Sequence, residues 1–398
     1  MSEGPLRGIR VVELTFGLAG PRAGMHLGDM GAEVVKIEPP AGDEWREHEA
    51  IPGHPGRSRH YMQANRNKRA VCLDLTMEPA RAAARDLVRR ADVLITNLRP
   101  GAPERLGLGW EDCRARDERL IYCAMSAYGP GGPLSDRGGY DVTVGAYAGL
   151  MPAVGATDER PPAPTPFPAT DTAMPLLATT GILAALLERG RTGRGQLVEV
   201  SMLGTAIALN AHALVRLDEA AAPPVSGFAR AFFRAYRTAD GWIAVAALSE
   251  RLARRLCAVL GMPGLLEDAP YGDRAARAGR DGELAERLAA RFRERPTAGW
   301  DAALAEAGVP AAPVRGRDEL FDDPQVRGQG LVEEVDDPEV GRLTMAAPAV
   351  RLSASPGSIR FPGRHLGADT REVLRELGRS DAEIAAMEAS GAAVAAAP

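Results

Sequence analysis

Five short runs rich in valine, isoleucine and leucine limit what this chain can fold into more than any other feature. They are residues 9–14 (IRVVEL), 32–37 (AEVVKI), 70–75 (AVCLDL), 93–96 (VLIT) and 120–124 (LIYCA). Residues 22–30 and 79–90, between them, read as helices. Strands apolar at successive positions cannot turn one face to water. Their alternation with helices therefore predicts an α/β fold with a parallel sheet covered on both sides. Ligands of such sheets sit beyond the carboxyl ends of the strands. The segments to inspect are then 15–21, 38–43, 97–105 and 126–141.

The later chain changes character. Residues 128–140 are rich in Gly and Pro and predict irregular backbone, and PPAPTPFP (161–168) is a stiff extended crossing. A long buried helix is expected over 171–189, a strand over 196–201 and a helix over 202–216. Residues 220–227 read as a linker. A β-hairpin around 239–241 and three helices (250–260, 281–294, 297–307) suggest a smaller domain over roughly 225–325. Strands near 331–335 and 343–346 and a helix at 370–377 follow. The Ala-rich end, 385–398, is expected to fray.

Several function classes drop out. There are 48 basic and 53 acidic side chains, a net charge of −5, so no nucleic-acid partner is expected and any anion site must be local. The longest largely apolar stretch, 176–187 between Pro175 and Glu188, is too short to span a bilayer, and no signal peptide is evident. Cys72, Cys113, Cys123 and Cys257 lack CxxC spacing and read as buried thiols in a reducing cytoplasm. The six histidines show no ligand spacing, and no metal is expected. Neither a G-x-G-x-x-G, a P-loop nor a G-x-S-x-G is present.

Only Lys36 and Lys68 are lysines; the remaining basic residues are arginines. A coding bias explains the scarcity, yet it leaves two candidates wherever a compact ammonium is needed. The candidate anion segments are LTFGLAGPRAG (14–24), VKIEP (35–39), NRNKR (65–69) and NLRP (97–100) with Arg105. Each could equally be an ordinary turn or a solvated run. Asp171 stands at the start of an apolar helix, where an aspartate usually caps.

Taken in order, LTFGLAGPRAG, GAEVVKIEPPAGD, NRNKRAVCLDL, ADVLITNLRPGAPERLGLG, SAYGPGGPLSDRGGYD, ATDTAMPLLATTGILAALLERGRTGRGQLVEVSML and GRHLGADTREVL resemble the class III coenzyme A transferases. Carnitine-CoA transferase, formyl-CoA transferase and α-methylacyl-CoA racemase belong to that family. The resemblance implies a Rossmann-like large domain built from both chain ends (1–200 and 326–398), a linker at 201–224, a small α+β domain at 225–325, and an interlocked homodimer. It implies that Asp171 is catalytic, charged at neutral pH, and that Ala19, Lys36, Lys68, Asn97, Arg99, Arg105 and Arg137 bind coenzyme A. Tyr140, Asp141 and Gly227 become candidates for the acyl site. The substrates implied are an acyl-CoA thioester and a carboxylic acid, with no prosthetic group.

A carboxylate nucleophile can pass CoA between two acids without losing the thioester's activation. The racemase branch resembles a His/Asp pair instead, with histidine where this chain has Tyr140. Tyrosine, with a pKa of about 10, is a poor base near neutrality, although His26, His54 or His60 could fold nearby. Where formyl-CoA transferases resemble one another in a glycine run, this chain has the single Gly227, which speaks against an oxalate or formyl substrate. An acyl-CoA racemase and a non-catalytic CoA-binding protein remain as alternatives at this point.

Overall fold

On the first strand, β1 (Arg10–Leu14), Val11 and Val12 face opposite ways and both are buried. Val11 packs with Ala19, Ala23 and Leu27 of α1 (Ala19–Asp29). Val12 packs with Ala83, Ala84 and Leu87 of the next long helix, Glu78–Arg89. One apolar core thus lies on each face of the sheet, as the apolar runs require.

The computed structural model describes residues 4–151, 157, 161–215, 231–267, 270–272, 277 and 279–396. It divides into two units, Met1–Val215 with Arg327–Pro398, and Arg216–Val326. In the first, β2 (Glu33–Glu38), α2 (Arg59–Ala64), β3 (Lys68–Leu73), α3 (Glu78–Arg89) and β4 (Val93–Thr96) follow α1. Then come α4 (Ala102–Arg105), α5 (Trp110–Arg116), β5 (Ile121–Ser126), α6 (Asp141–Tyr147), α7 (Ala169–Thr192), β6 (Leu197–Ser201) and α8 (Met202–Leu209). The strand order is 3-2-1-4-5-6, all parallel, the doubly wound arrangement. The order reverses between β1 and β4, and the chain leaving both strands opens a crevice there.

The second unit carries an antiparallel sheet of β7 (Phe233–Arg237), β8 (Trp242–Ala246) and β9 (Ala311–Pro313). With it go α9 (Glu250–Val259), α10 (Asp281–Phe292) and α11 (Thr297–Glu306). Its core centres on Trp300, whose indole N–H donates to Phe292 O (2.8 Å).

The chain then returns to the first unit. A short helix α12 (Pro324–Gly328) precedes a hairpin of β10 (Val332–Asp337) and β11 (Gly341–Ala346), and α13 (Thr370–Glu376) follows. Buried polar side chains tie this return to the first half: Arg57 Nη1 donates to Gly363 O (2.9 Å) and Asn67 Nδ2 to Ser358 O (2.8 Å).

Four expectations need correction. The Ala-rich end does not fray: α14 (Asp381–Ser390) has a Ser380/Glu383 capping box and ends at Gly391 in the left-handed region. The chain then adds β12 (Ala393–Val394), antiparallel to β3. The helix expected over 202–216 is α8 and already ends at Leu209, and 220–227 lie outside the described residues. α7 begins two residues early, so Asp171 sits inside its first turn and is not its cap. Finally, α7 runs through Pro175 and Glu188 for 24 residues, long and apolar enough by composition to cross a membrane. Its Met174, Ala178, Ile182 and Ala185 are nonetheless buried in the α1-side core.

Candidate active site

The crevice at the sheet's reversal holds a cavity of about 430 Å³, formed wholly within the first unit. The turn after β1 and the first turn of α1 make one wall. Asn97, at the end of β4, fixes that turn from across the reversal: its Oδ1 accepts from Phe16 N (3.0 Å) and its Nδ2 donates to Phe16 O (2.8 Å). Gly17 takes φ 77°, a conformation that suits glycine, and its N–H donates to Asp43 Oδ1 (3.2 Å). A Cβ at Gly20 would crowd Thr15 and Asn97, and one at Gly24 would overlap Glu13 Oε2. The glycines of LTFGLAGPRAG thus let α1 lie close on the sheet.

Asp171 lines the cavity from the first turn of α7. That helix opens on Pro168, which has no capping side chain, and Asp141 of α6 supplies the missing acceptor. Asp141 Oδ1 accepts from Thr170 N (2.6 Å), Thr170 Oγ1 (2.6 Å) and Asp171 N (3.3 Å). Asp141 is therefore a positioning residue for Asp171, placed by the Gly139-Tyr140-Asp141 turn. A Cβ on Gly139 would crowd Val144 and Ala127. Burial and the Asp141 carboxylate push the Asp171 pKa up to about 6, against the pull of Arg22. At pH 7 it is mostly ionised, with a narrower margin than an ordinary aspartate. Arg22, on α1, donates through Nη1 to Thr172 Oγ1 (3.3 Å).

Of the residues expected at the site, Ala19, Asn97, Arg99, Arg137, Tyr140 and Asp171 line this one cavity. Arg105 is exposed on α4 and is not part of the lining. Gly227 lies outside the described residues. Lys36 and Lys68 require correction, because both are buried beneath α1 and neither lines the cavity. Lys36 Nζ donates to Thr15 O (2.8 Å) and Asp43 Oδ2 (3.1 Å). Lys68 Nζ donates to Glu13 Oε1 (2.8 Å), Pro21 O (2.7 Å) and Asn65 Oδ1 (2.9 Å). Their contacts brace the turn that walls the cavity. Elsewhere in the NRNKR run Arg66 is buried and pairs with buried Asp29, whereas Arg69 is partly exposed and pairs with the half-exposed Glu33 and Glu376.

Sequence reasoning missed Trp45, Met125, Met174 and Met202, which also line the cavity. Met174 was accessible, since it follows Asp171 by three residues on one helix face. Trp45 lies two residues past the segment read as following β2. None of His26, His54 and His60 lines the cavity, so the racemase reading has no histidine at this carboxylate.

A profile of CoA-transferase family III matches residues 6–370. The chain belongs to this family. As a family III CoA-transferase it is similar to the succinyl-CoA:glutarate CoA-transferase of Mus musculus, 35% identical over 95% of this chain and 87% of that protein. It also resembles a probable fatty acyl-CoA transferase of Mycobacterium tuberculosis, 34% identical over 89% of this chain and 93% of the relative. Among solved structures, a CAIB/BAIF family protein from Brucella suis superposes with a TM-score of 0.84 at 29% identity, covering 94% of this chain and all of that one. The family III CoA-transferase is thus an enzyme, and CoA thioesters are its substrates.

Proposed function

We propose that this family III CoA-transferase moves CoA from an acyl-CoA to a carboxylic acid through covalent intermediates on Asp171. The single observation that carries the reading is a half-buried, ionisable carboxylate on the wall of a 430 Å³ cavity at the sheet's reversal. An Asp171 oxygen attacks the donor thioester carbonyl, forming a mixed anhydride and releasing CoA thiolate. The thiolate attacks the aspartyl carbonyl, giving an aspartyl-CoA thioester and freeing the donor acid. The acceptor carboxylate repeats the sequence in reverse: it forms a second anhydride, and the thiolate then takes the acceptor's acyl group and restores Asp171.

The chain's own groups suit each need. Arg99 and Arg137 offer cations for the CoA phosphates, with exposed Arg105 beyond them. Gly138 and Gly139 on the wall are the candidates for oxyanion donors. Buried Met125, Met174 and Met202 make an apolar floor that disfavours water, which would otherwise hydrolyse the anhydride. Short dicarboxylates, as in the name of the mouse relative, are the proposed acids. Exposed Leu176, Leu177 and Leu187 on α7, with Ile207 and Leu209 on α8, fit an interlocked homodimer, which light scattering would test. The four free, buried cysteines fit a reducing cytoplasm.

Asp171→Ala is expected to abolish exchange between succinyl-CoA and a panel of acids that includes glutarate. Hydroxylamine added during turnover should leave a hydroxamate that peptide mass spectrometry finds on Asp171. Full exchange by the alanine variant would sink the mechanism.

A further inference from the structure

Beside the cavity the fold assembles a cluster that spacing along the chain does not reveal. Asp43 caps the 3-10 turn Glu44–Arg46, its Oδ1 accepting from Trp45 N (3.1 Å). Ser58, the cap of α2, donates through Oγ to Trp45 O (2.6 Å) and accepts from Tyr61 N (2.9 Å). An isolated bridge between Ala50 and Ser58 closes the intervening loop, and Ile51 N donates to Arg57 O (2.7 Å). Asp43, Arg46, Ser58 and Tyr61 are buried, so this base is firmly held.

On that base stand His48 and Glu49, just after the 3-10 turn, and His60, the second residue of α2. One ligand atom from each lies within 4.8 Å of the others. His60 Nε2 is 3.0 Å from Glu49 Oε2, and the two imidazole centroids are 5.5 Å apart. All three side chains reach solvent. Glu49 is held at φ 52°, which a residue with a Cβ adopts only against strain and which aims its carboxylate at His60.

We propose that His48, Glu49 and His60 bind one divalent transition cation of the zinc class. Two imidazoles and one carboxylate suit zinc, cobalt or nickel better than magnesium or calcium, which prefer all-oxygen shells. Donors about 2.0–2.2 Å from one tetrahedral zinc lie roughly 3.3–3.6 Å apart; His60 and Glu49, at 3.0 Å, are already as close as that, and the spacing within 4.8 Å of the remaining atoms must shorten. Exposed side chains can close that gap by rotation. Trp45 ties the site to the cavity. Its ring packs on His48 (centroids 4.8 Å) and edge-on against His60 (5.4 Å), and it also lines the cavity that holds Asp171. A bound cation fixes both imidazoles and with them the wall that Trp45 makes. Occupancy therefore acts on acyl-CoA binding rather than on the reacting carbon. This last coupling rests on the proposed CoA-transfer reading; the metal site itself does not.

The test uses the full, untagged chain stripped with a chelator. Calorimetric titration with Zn²⁺ should give one site per chain, and His48→Ala and His60→Ala should each weaken it about tenfold or more. Co²⁺ should give visible absorption bands and quench tryptophan fluorescence, the quenching falling in Trp45→Phe while the bands persist. No saturable uptake, or uptake unchanged in the His48→Ala/His60→Ala double variant, would overturn the site. If the site binds but saturating Zn²⁺ leaves the KM for succinyl-CoA unchanged in an active enzyme, the coupling through Trp45 is overturned and the site stands. An enzyme without CoA exchange in any condition would instead remove the CoA-transfer reading, with the titration unaffected.

Discussion

At Asp171, burial and Asp141 raise the pKa from the usual 3.8 to about 6. Between these values the folded chain holds a proton that the unfolded chain has lost. Stability therefore falls as pH rises through that window and stays lower above it. Removing the charge should relieve the cost: Asp171→Asn is expected to gain about 2 kcal/mol at pH 8 and little at pH 4, read by urea unfolding. Equal gains at both pH values would show that the charge is not the cause. The same carboxylate must be ionised to attack, so kcat/KM should drop below about pH 6, and Asp141→Asn should move that limb to lower pH. Lys68 presents the opposite case. It lies fully buried beside Glu13, whose Oε2 already has no partner. Lys68→Ala leaves a buried carboxylate without its nearest cation and should cost about 3 kcal/mol, with the KM for acyl-CoA changed less than twofold in the folded variant. A large rise in KM without loss of stability would return this lysine to the phosphate site.

At the scale of elements, the start of α7 depends on another helix. Pro168 cannot cap, and Pro175 lacks the N–H that would bond the Asp171 carbonyl. Asp141 replaces the missing cap by accepting from the Thr170 and Asp171 backbone N–H groups; it has no donor for the Asp171 carbonyl. Asp141→Ala should therefore cost about 1–2 kcal/mol and also impair catalysis by loosening Asp171, whereas Asn, which keeps an acceptor, should recover most of the stability. Thermal melts of the two variants compare these directly; identical melts would remove Asp141 as the cap. Helix α1 and the β1–β2 pair form a second such unit. Glu13 and Lys36 are paired in register and roofed by α1, whose Gly24 leaves space for the Glu13 carboxylate.

At the scale of the whole molecule, the first unit is closed by both ends of the chain. Arg46 donates to Arg364 O (3.0 Å), Arg57 pairs with Asp337, and Arg360 N donates to Asn67 Oδ1 (2.7 Å). β12 covers the edge of β3, and Ile384 and Met387 of α14 complete the core behind it. Deleting residues 381–398 should expose that edge, lower Tm by about 5 °C or more and promote aggregation on warming. A truncated chain that melts like the intact one and stays monodisperse in light scattering would contradict this role.

The sequence determined the sheet and its ligand edge. Apolar runs such as VLIT leave a strand no wet face, so helices on both sides and a ligand edge at the strands' carboxyl ends follow from the sequence, whereas the reversal of strand order that puts the crevice beyond β1 and β4 was decided by the fold. Residue type and place also marked Asn97 and Arg99 as candidates, while Asp171 as nucleophile and Arg137 came with the resemblance to the class III coenzyme A transferases. What the sequence could not tell was which polar groups face water. Lys36 and Glu13 occupy the less apolar side of their strands, but in a doubly covered sheet that side lies under a helix, and only packing shows that their charges neutralise each other there. Nor does chain order reveal Asp141 capping α7 across 30 residues, Trp45 reaching the cavity, or His48, Glu49 and His60 meeting around a closed loop. Those are contacts between segments distant or bent in the chain, and tertiary structure alone decided them, because side-chain chemistry depends on which neighbours the fold supplies.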